Sequence, residues 1–130
     1  MSEKIKKYLG IDWGEVRIGL ALGNSENKIA TPFNVAKNIN EIISVIEDEE
    51  IDEIVLGEPL AMADSLLQNK DKYLSFVSEL KKKISLPIST IDERLTSKAA
   101  DALSGDKKTK APRDAVAAML ILQSFLDREP

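Results

Sequence analysis

Residues 8–22 constrain the fold more than any other stretch of the chain, because they have the pattern of two strands joined by a tight turn. Apolar residues occupy every second position from Leu9 to Trp13 and again from Val16 to Leu22. This is the period of half-buried β-strands. Gly14 and Glu15 lie at the reversal, where glycine supplies backbone angles that other residues resist. The stretch therefore predicts a β-hairpin.

Asp12 is the anomaly in this hairpin, because it places a carboxylate near the end of an apolar strand. A carboxylate that loses its hydration is costly unless a cation or hydrogen-bond donors replace the water. A bound metal ion would meet that need, and so would Arg17 or backbone donors of the turn. The hairpin alone leaves both interpretations open, and the structural one is the simpler.

Two absences limit the chemistry of the chain. Its 130 residues include no histidine and no cysteine, which removes the usual zinc ligands, thiol nucleophiles and imidazole bases. An enzyme of this composition would depend on carboxylates, lysine, arginine and a hard cation such as Mg²⁺ or Mn²⁺. Since the net charge is −4, any binding to nucleic acid must come from a local basic patch.

Length and hydropathy predict a single domain, residues 1–130, outside the membrane. No apolar run reaches the roughly 18 residues that span a bilayer. The segment Met1–Lys7 is charged, and no apolar segment of the signal-peptide type follows it. We therefore expect a cytoplasmic protein, a location that the lack of cysteine permits.

The rest of the chain alternates between strand and helix patterns. Because strands separated by helices run parallel, the order predicts an α/β fold. Its mixed five-stranded sheet has a three-strand antiparallel meander, two parallel strands and helices on both faces. The strands after the hairpin are expected over 28–35, 51–56 and 88–91, and the helices over 38–50, 64–85, 96–103 and 112–127.

Three carboxylates could meet at one end of this sheet. Asp12 ends the first strand, Glu93 directly follows the fifth within Asp92-Glu93-Arg94, and Asp114 lies in the first turn of the last helix. At about 100° per residue, the apolar positions 118, 121 and 125 fall within about 40° of Asp114. Asp114 therefore lies on the inward face of its helix and calls for a partner.

Clustered carboxylates repel one another, and divalent cations make such a cluster favourable. Two ions about 3.5–4 Å apart can clamp the attacking and leaving oxygens of a phosphodiester displacement, which needs no histidine. Three ordinary acids remain the alternative, because the clustering is itself inferred.

Five segments of the chain form a specific ordered set, although each is weak alone. They are Gly10-Ile11-Asp12-Trp13-Gly14, Arg17-Ile18-Gly19, Gly57-Glu58-Pro59-Leu60, Asp92-Glu93-Arg94-Leu95-Thr96 and the run from Asp114 to Gln123. In this order and spacing, which covers nearly the whole chain, they resemble the YqgF/RuvX family.

The resemblance implies an RNase H-like fold and a metal-dependent nuclease that uses Mg²⁺ or Mn²⁺. It implies that Asp12, Glu93 and Asp114 are the catalytic, metal-binding acids. The family is described as Holliday junction resolvase and as the nuclease that matures the 5′ end of pre-16S rRNA. This chain departs from the family pattern at Glu58 and in the loop 61–65, which borders the site in the family picture.

The residues predicted to bind substrate are basic, and each has a structural alternative. Arg17 could meet a phosphate or pair with Glu15, and Arg94 could orient Glu93, contact substrate or pair with Asp92. The basic segment before the last helix could grip a nucleic-acid backbone or simply stay solvated. Trp13 is expected in the core rather than as a base-stacking platform. The full predicted set is Arg17, Arg94, Lys107, Lys108, Lys110 and Arg113.

Four functions remain open at this level. The first is an endonuclease acting on structured RNA such as pre-rRNA, and the second is a resolvase of branched DNA, which a homodimer rather than a monomer would support. The third is a phosphate-binding domain like those of actin-like ATPases and sugar kinases, for which the chain is too short. The fourth is a non-catalytic nucleic-acid-binding module.

Overall fold

The computed structural model describes residues 4–58, 69–92 and 112–128. Within them, five strands form one mixed sheet with three helices. The predicted helix over 96–103 and the loop 61–65 lie outside the described residues. The elements are β1 (Lys7–Asp12), β2 (Ile18–Asn24), β3 (Thr31–Ala36), α1 (Ile39–Asp48), β4 (Glu53–Glu58), α2 (Asn69–Lys83), β5 (Ile88–Asp92) and α3 (Arg113–Arg128).

The strand order of the sheet is β3-β2-β1-β4-β5. The first three strands form the antiparallel meander that the sequence predicts, and β4 and β5 run parallel to β1. Ile11 lies opposite Leu56, which lies opposite Thr90. The carboxyl ends of β1, β4 and β5 therefore meet at one edge, where open α/β sheets place their sites.

Each face of the sheet is covered by helices, as predicted. Leu9 and Ile11 pack with α1 and α2 in one core, whereas Tyr8 packs with α3 in the other. The central strand β4 contributes to both, since Ile54 and Val55 belong to different cores and each is 0% exposed. This is why its sequence is a continuous apolar run rather than an alternating one.

Short polar contacts fix where α1 begins, and a proline stands before α3. The Asn38 side-chain oxygen accepts a hydrogen bond from the Glu41 backbone N–H at 3.0 Å, and the Glu41 carboxylate accepts one from the Lys37 N–H at 2.8 Å. These bonds satisfy donors that the first helical turn leaves free. The Asn38 cap is confirmed, whereas α3 begins at Arg113, one residue after the predicted start at Pro112.

The hairpin turn is longer than predicted. The apolar pattern predicts Val16 in the second strand, but its side chain is 79% exposed and β2 begins at Ile18. Gly14 has no positive φ, so its role is spatial: a Cβ atom there would overlap the Arg17 carbonyl oxygen. The predicted third strand also begins too early, since Lys28 has a left-handed φ of 55° and β3 starts at Thr31.

Asp52 joins the first residues of β1 to the start of β4. Its carboxylate accepts a hydrogen bond from the Lys7 N–H at 2.9 Å, and its own N–H donates to the Lys7 carbonyl at 2.8 Å. The Lys7 bond, followed by the Lys4 ammonium 3.4 Å away, lowers the pKa of Asp52. The anionic form of Asp52 is thus the form that the fold stabilises.

Candidate active site

The end of β1 and the start of α3 meet across β2. Asp12, the last residue of β1, lies opposite Gly19 in the antiparallel pair. A Cβ atom on Gly19 would overlap the backbone carbonyl oxygen of Asp114. The first turn of α3 therefore rests directly on β2 beside Asp12, and two carboxylates that are 102 positions apart, from 12 to 114, belong to neighbouring segments.

Asp12 belongs to the face of the sheet that α3 covers. Period-two alternation places it with Tyr8 and Gly10. The Tyr8 ring packs edge-on against Phe125 of α3, with centroids 5.4 Å apart, and a Cβ on Gly10 would lie 2.8 Å from the Leu122 Cβ. Asp12 is half-buried, so its carboxylate is partly desolvated on the same face that carries Asp114.

Asp114 forms an ion pair with the hairpin turn. The Nε atom of Arg17 lies 3.3 Å from its Oδ2 atom, and the two side chains are 70% and 34% exposed. A pair this exposed contributes little to stability, about 0–1 kcal/mol. The pair matters for position, because it holds the Arg17 guanidinium beside Asp114.

The predicted alternative pairing of Arg17 with Glu15 is wrong. The Glu15 carboxylate contacts the Nζ atom of Lys72 in α2. The turn directs these two side chains to opposite faces of the sheet, since α2 and α3 cover different faces. Alternation along a strand cannot predict this, because residues 13–17 are not part of a strand.

The edge of the sheet brings further acids together at the ends of β4 and β5. Glu58 lies opposite Asp92 in the parallel pair. Glu93 follows Asp92 in the sequence but lies outside the described residues, as do Arg94 and the lysines at 107, 108 and 110. Arg113 is described and is exposed at the start of α3.

Asp12 and Asp114 have the chemistry that a divalent cation requires. Within residues 4–58, 69–92 and 112–128, no three acids form a group able to hold a metal ion. The two described carboxylates nevertheless offer hard oxygen donors, which suit Mg²⁺ and Mn²⁺. The Arg17 guanidinium beside Asp114 already places one positive charge next to this carboxylate.

Gln123 is a residue of this region that the sequence analysis did not single out for a role. Its side-chain oxygen accepts from the Ala30 N–H at 2.9 Å, and its Nε2 donates to the Lys28 carbonyl at 2.9 Å. These bonds fasten α3 to the segment that leads into β3. The sequence does contain a signal for this role, since Gln123 stands among the apolar positions of the last helix. A buried side-chain amide needs hydrogen-bond partners.

The helices of the described residues include none that is both long and apolar enough to cross a membrane.

Known proteins similar to this chain support one family. The family model described as RuvX, Holliday junction resolvase, matches residues 6–128. A protein of Natranaerobius thermophilus named "Putative pre-16S rRNA nuclease" is 35% identical over 134 residues, which cover 95% of each chain. One of Rickettsia felis with the same name is 36% identical over 130 residues, covering 92% of this chain and 84% of its own.

Solved structures share the fold at low sequence identity. RuvC of Thermus thermophilus in complex with a Holliday junction substrate has a TM-score of 0.63 and 16% identity, covering 93% of both chains. A second Thermus thermophilus RuvC structure has a TM-score of 0.61 and 16% identity, covering 92% of this chain and 93% of the other. This likeness confirms the RNase H-like fold predicted from the sequence.

Proposed function

Because the chain belongs to the RuvX family of nucleases, we propose that it is a metal-dependent endonuclease that hydrolyses phosphodiester bonds. Asp12, Glu93 and Asp114 are its proposed catalytic acids and metal ligands. The observation that supports this proposal is that Asp12 lies opposite Gly19 in the β1–β2 pair, on the face where Gly19 meets the backbone carbonyl of Asp114. Glu93 is proposed as the third acid because it directly follows β5 in the sequence, and β5 ends at the same edge of the sheet as β1.

Bound Mg²⁺ or Mn²⁺ would supply activation of the attacking water and neutralisation of the leaving oxygen. The chain itself holds the two described carboxylates on rigid elements, Asp12 on β1 and Asp114 on α3. Arg17 balances the charge of Asp114 before substrate arrives. Its planar guanidinium suits a phosphate as well as a carboxylate, so Arg17 can pass from Asp114 to the substrate backbone.

The proposed substrate is the 5′ end of pre-16S rRNA, which is cut during ribosome biogenesis. This proposal rests on the names of relatives that match the chain over nearly its whole length. Such a substrate implies the cytoplasm as the location. Substrate would lie across the strand ends, and the proposed contacts are Arg17, Arg94, Lys107, Lys108, Lys110 and Arg113.

Branched DNA is the second candidate substrate, because the matching family model is described as a Holliday junction resolvase. A resolvase cuts two strands symmetrically, and a homodimer would provide the two sites. A monomer of one domain, residues 1–130, is enough for cutting a single RNA strand. The two candidates therefore differ in the oligomeric state that activity requires.

Incubation with Mn²⁺ or Mg²⁺ and both substrates tests the proposal. We expect cleavage of a pre-16S rRNA fragment that carries the 5′ precursor sequence, no cleavage in EDTA, and weaker cleavage of a four-way DNA junction. Asp12→Asn and Asp114→Asn should each lower the rate by about 100-fold or more, since even indirect partners of a metal site are worth about 10–100-fold.

Asp48→Asn is the matched control, because Asp48 is exposed at the end of α1. Its cleavage rate should equal that of the wild type. Cleavage that persists in EDTA, or in Asp12→Asn, would contradict the proposed mechanism. Metal-dependent binding without cleavage of either substrate would instead indicate a non-catalytic module.

A further inference from the structure

An open cleft lies on the face of the sheet opposite Asp12 and Asp114. Its volume is about 450 Å³, and it is enclosed by the hairpin turn, the start of α1 and one side of α2. Clefts of about 300–1,000 Å³ are typical of sites for small organic groups. Trp13 and Phe76 provide aromatic surface within it.

Trp13 is held rigidly at this cleft. Its ring packs edge-on against Tyr73, with centroids 5.7 Å apart and planes at 73°, and it is tilted against Phe76 at 6.3 Å. These contacts fix the ring, while the half-buried side chain still lines the cleft. The expectation that Trp13 is a core residue is thus correct for part of its surface only.

The charges around the cleft favour an uncharged ligand over a phosphate. Three acids line it, Glu15, Asp71 and Glu79, against two lysines, Lys37 and Lys72. Lys72 is already in contact with Glu15. The surplus of carboxylates would repel a phosphate inside the cleft. A neutral planar group carrying N–H donors would meet both the aromatic surface and these acceptors.

The cleft lies next to Asp12 along the chain, so a neutral planar group that enters it could come from the proposed nucleic-acid substrate. Asp12 and Trp13 are consecutive, so their Cα atoms are about 3.8 Å apart, and their side chains point to opposite faces. A strand bound at Asp12 would have to pass around the end of β1 for a following base to reach Trp13 on the other face. Aromatic side chains stack with unpaired bases of any sequence.

We propose that this cleft binds one unpaired nucleobase of the strand that is cut, stacked on Trp13. The proposal rests on the proposed nuclease function and adds a requirement for an unpaired base next to the cleavage point. The base in a duplex is stacked and paired, so it must leave the helix before it can enter the cleft.

Trp13 allows a direct test, because it is the only tryptophan of the chain. The probe is an eight-nucleotide oligoadenylate RNA, added to the wild type in EDTA so that no cleavage occurs. We expect the oligomer to quench the tryptophan fluorescence. An abasic oligomer with the same number of phosphates should bind at least fivefold more weakly and leave the emission unchanged, since it lacks the bases that stack.

A variant that fills the cleft provides the second measurement. Ser75 lines the cleft and is exposed on α2, so Ser75→Tyr occupies the space without disturbing the core. We expect at least fivefold weaker oligoadenylate binding and unchanged Mn²⁺ affinity. Ser78→Tyr is the matched control, because Ser78 is exposed one turn further along α2 and does not line the cleft.

The outcomes separate this proposal from the nuclease function. Oligoadenylate that binds, by polarisation of a labelled copy, without quenching Trp13 would overturn the proposed base site and leave the nuclease function intact. Equal binding by Ser75→Tyr and Ser78→Tyr would overturn it too. Quenching by oligoadenylate with no metal-dependent cleavage of any substrate would instead refute the nuclease function alone.

Discussion

The Asp114 carboxylate has two uses, and Arg17 connects them. It is a proposed metal ligand, and it also pairs with the Arg17 guanidinium at 3.3 Å. A metal ion and the guanidinium therefore compete for the same negative charge. This competition would hold Arg17 in place while the site is free of metal and release it toward a phosphate once metal is bound.

Replacing Arg17 should strengthen metal binding while it weakens catalysis. An exposed ion pair is worth about 0–1 kcal/mol, so Arg17→Gln should raise the affinity for Mn²⁺ by up to about fivefold. Cleavage should fall by about tenfold or more, because a phosphate contact is lost. Calorimetric titration with Mn²⁺ and no substrate measures the first effect.

Arg128→Gln is the control for Arg17→Gln, since it removes the same charge from the exposed far end of α3. Its Mn²⁺ affinity should match that of the wild type. A weaker Mn²⁺ affinity in Arg17→Gln would mean that Arg17 supports the site rather than competing for it.

Asp52 gives the fold a dependence on pH. Its pKa is lowered by the hydrogen bond from the Lys7 N–H and by the Lys4 ammonium. A lowered pKa in the folded state stabilises the fold above the unfolded pKa of about 4, and this stabilisation is lost as pH falls through the folded value. Asp52→Asn should therefore be less stable than the wild type at pH 7, by about 0.5–1.5 kcal/mol.

Urea unfolding at several pH values checks the role of Asp52. The stability difference between the wild type and Asp52→Asn should shrink as pH falls below about 4. Asp48→Asn, at an exposed position, should differ little from the wild type at any of these pH values. A difference for Asp52→Asn that stays constant down to pH 2 would indicate a structural effect other than charge.

The face on which a side chain lies could be predicted for residues inside a helix or strand, because the period of that element sets the face. The helical angle of Asp114 placed it correctly, because Ala118 and Ile121 on the same face are indeed buried. The partner of Arg17 was not predictable, because a turn has no repeating direction. Gly19 lies inside β2, and a glycine inside a strand signals a close backbone approach. The periodicity does not say which segment approaches, and here it is the Asp114 carbonyl.

At the scale of elements, the contact between α3 and the sheet sets the position of the site. Gly10 and Gly19 let the helix approach, since a Cβ at position 10 would lie 2.9 Å from the Ala118 carbonyl and one at position 19 would overlap that of Asp114. Gln123 then fastens the helix to residues 28–30. The position of the helix that carries Asp114 therefore depends on these glycines, which have no Cβ, as well as on apolar packing.

A methyl group at Gly19 should move α3 and disable the site. Gly19→Ala forces a backbone displacement, because the obstacle is a carbonyl rather than a flexible side chain. We expect a loss of about 1–3 kcal/mol in the free energy of unfolding, as for other overpacked sites. Cleavage and Mn²⁺ affinity should both fall, since Asp114 is displaced from Asp12.

Gly23→Ala is the matched control on the same strand. Its Cβ would lie 3.1 Å from the Leu122 Cδ2 and 3.1 Å from the Leu126 Cδ1, the ends of side chains that can shift. Stability should change by less than about 1 kcal/mol, because extra stiffness of the chain offsets slight crowding. Equal losses in Gly19→Ala and Gly23→Ala would show that the carbonyl of Asp114 is not the decisive obstacle.

The order and type of elements were predictable, but their ends were less so. Strand and helix periods gave all five strands, the parallel pairing and the helices on both faces. Errors fell at the starts of β2, β3 and β4, where Val16, Lys28 and Ile51 continue the apolar or polar pattern but lie before the strands. The helix predicted over 64–85 is described from Asn69 to Lys83.

At the scale of the whole molecule, the charge distribution opposes the proposed function until a cation binds. The chain carries a net charge of −4, and the site concentrates carboxylates at one edge of the sheet. A metal ion would bind the folded chain, in which Asp12 and Asp114 are neighbours, better than the unfolded one. Metal binding should therefore stabilise the whole fold.

Mn²⁺ should raise the free energy of unfolding of the wild type by about 2.7 kcal/mol at 100 times its Kd. Asp12→Asn should lose most of this increase, and EDTA should reverse it. Urea unfolding with and without Mn²⁺ measures the effect. Asp71→Asn removes an acid from the other face of the sheet and should keep the full increase; an equal increase in Asp12→Asn would argue against its role as a ligand.

The helix α3 is needed both to complete the second core and to supply Asp114, and it is synthesised last among the described elements. Residues 113–128 provide one whole side of the second core and also carry Asp114. Synthesis proceeds from the N-terminus at about 5–20 residues per second, so a nascent chain that still lacks this segment has an uncovered sheet face and an incomplete set of acids. If Asp114 is a ligand as proposed, such a chain would lack both the cover of the second core and one of the proposed ligands, so cleavage would begin only after α3 has docked.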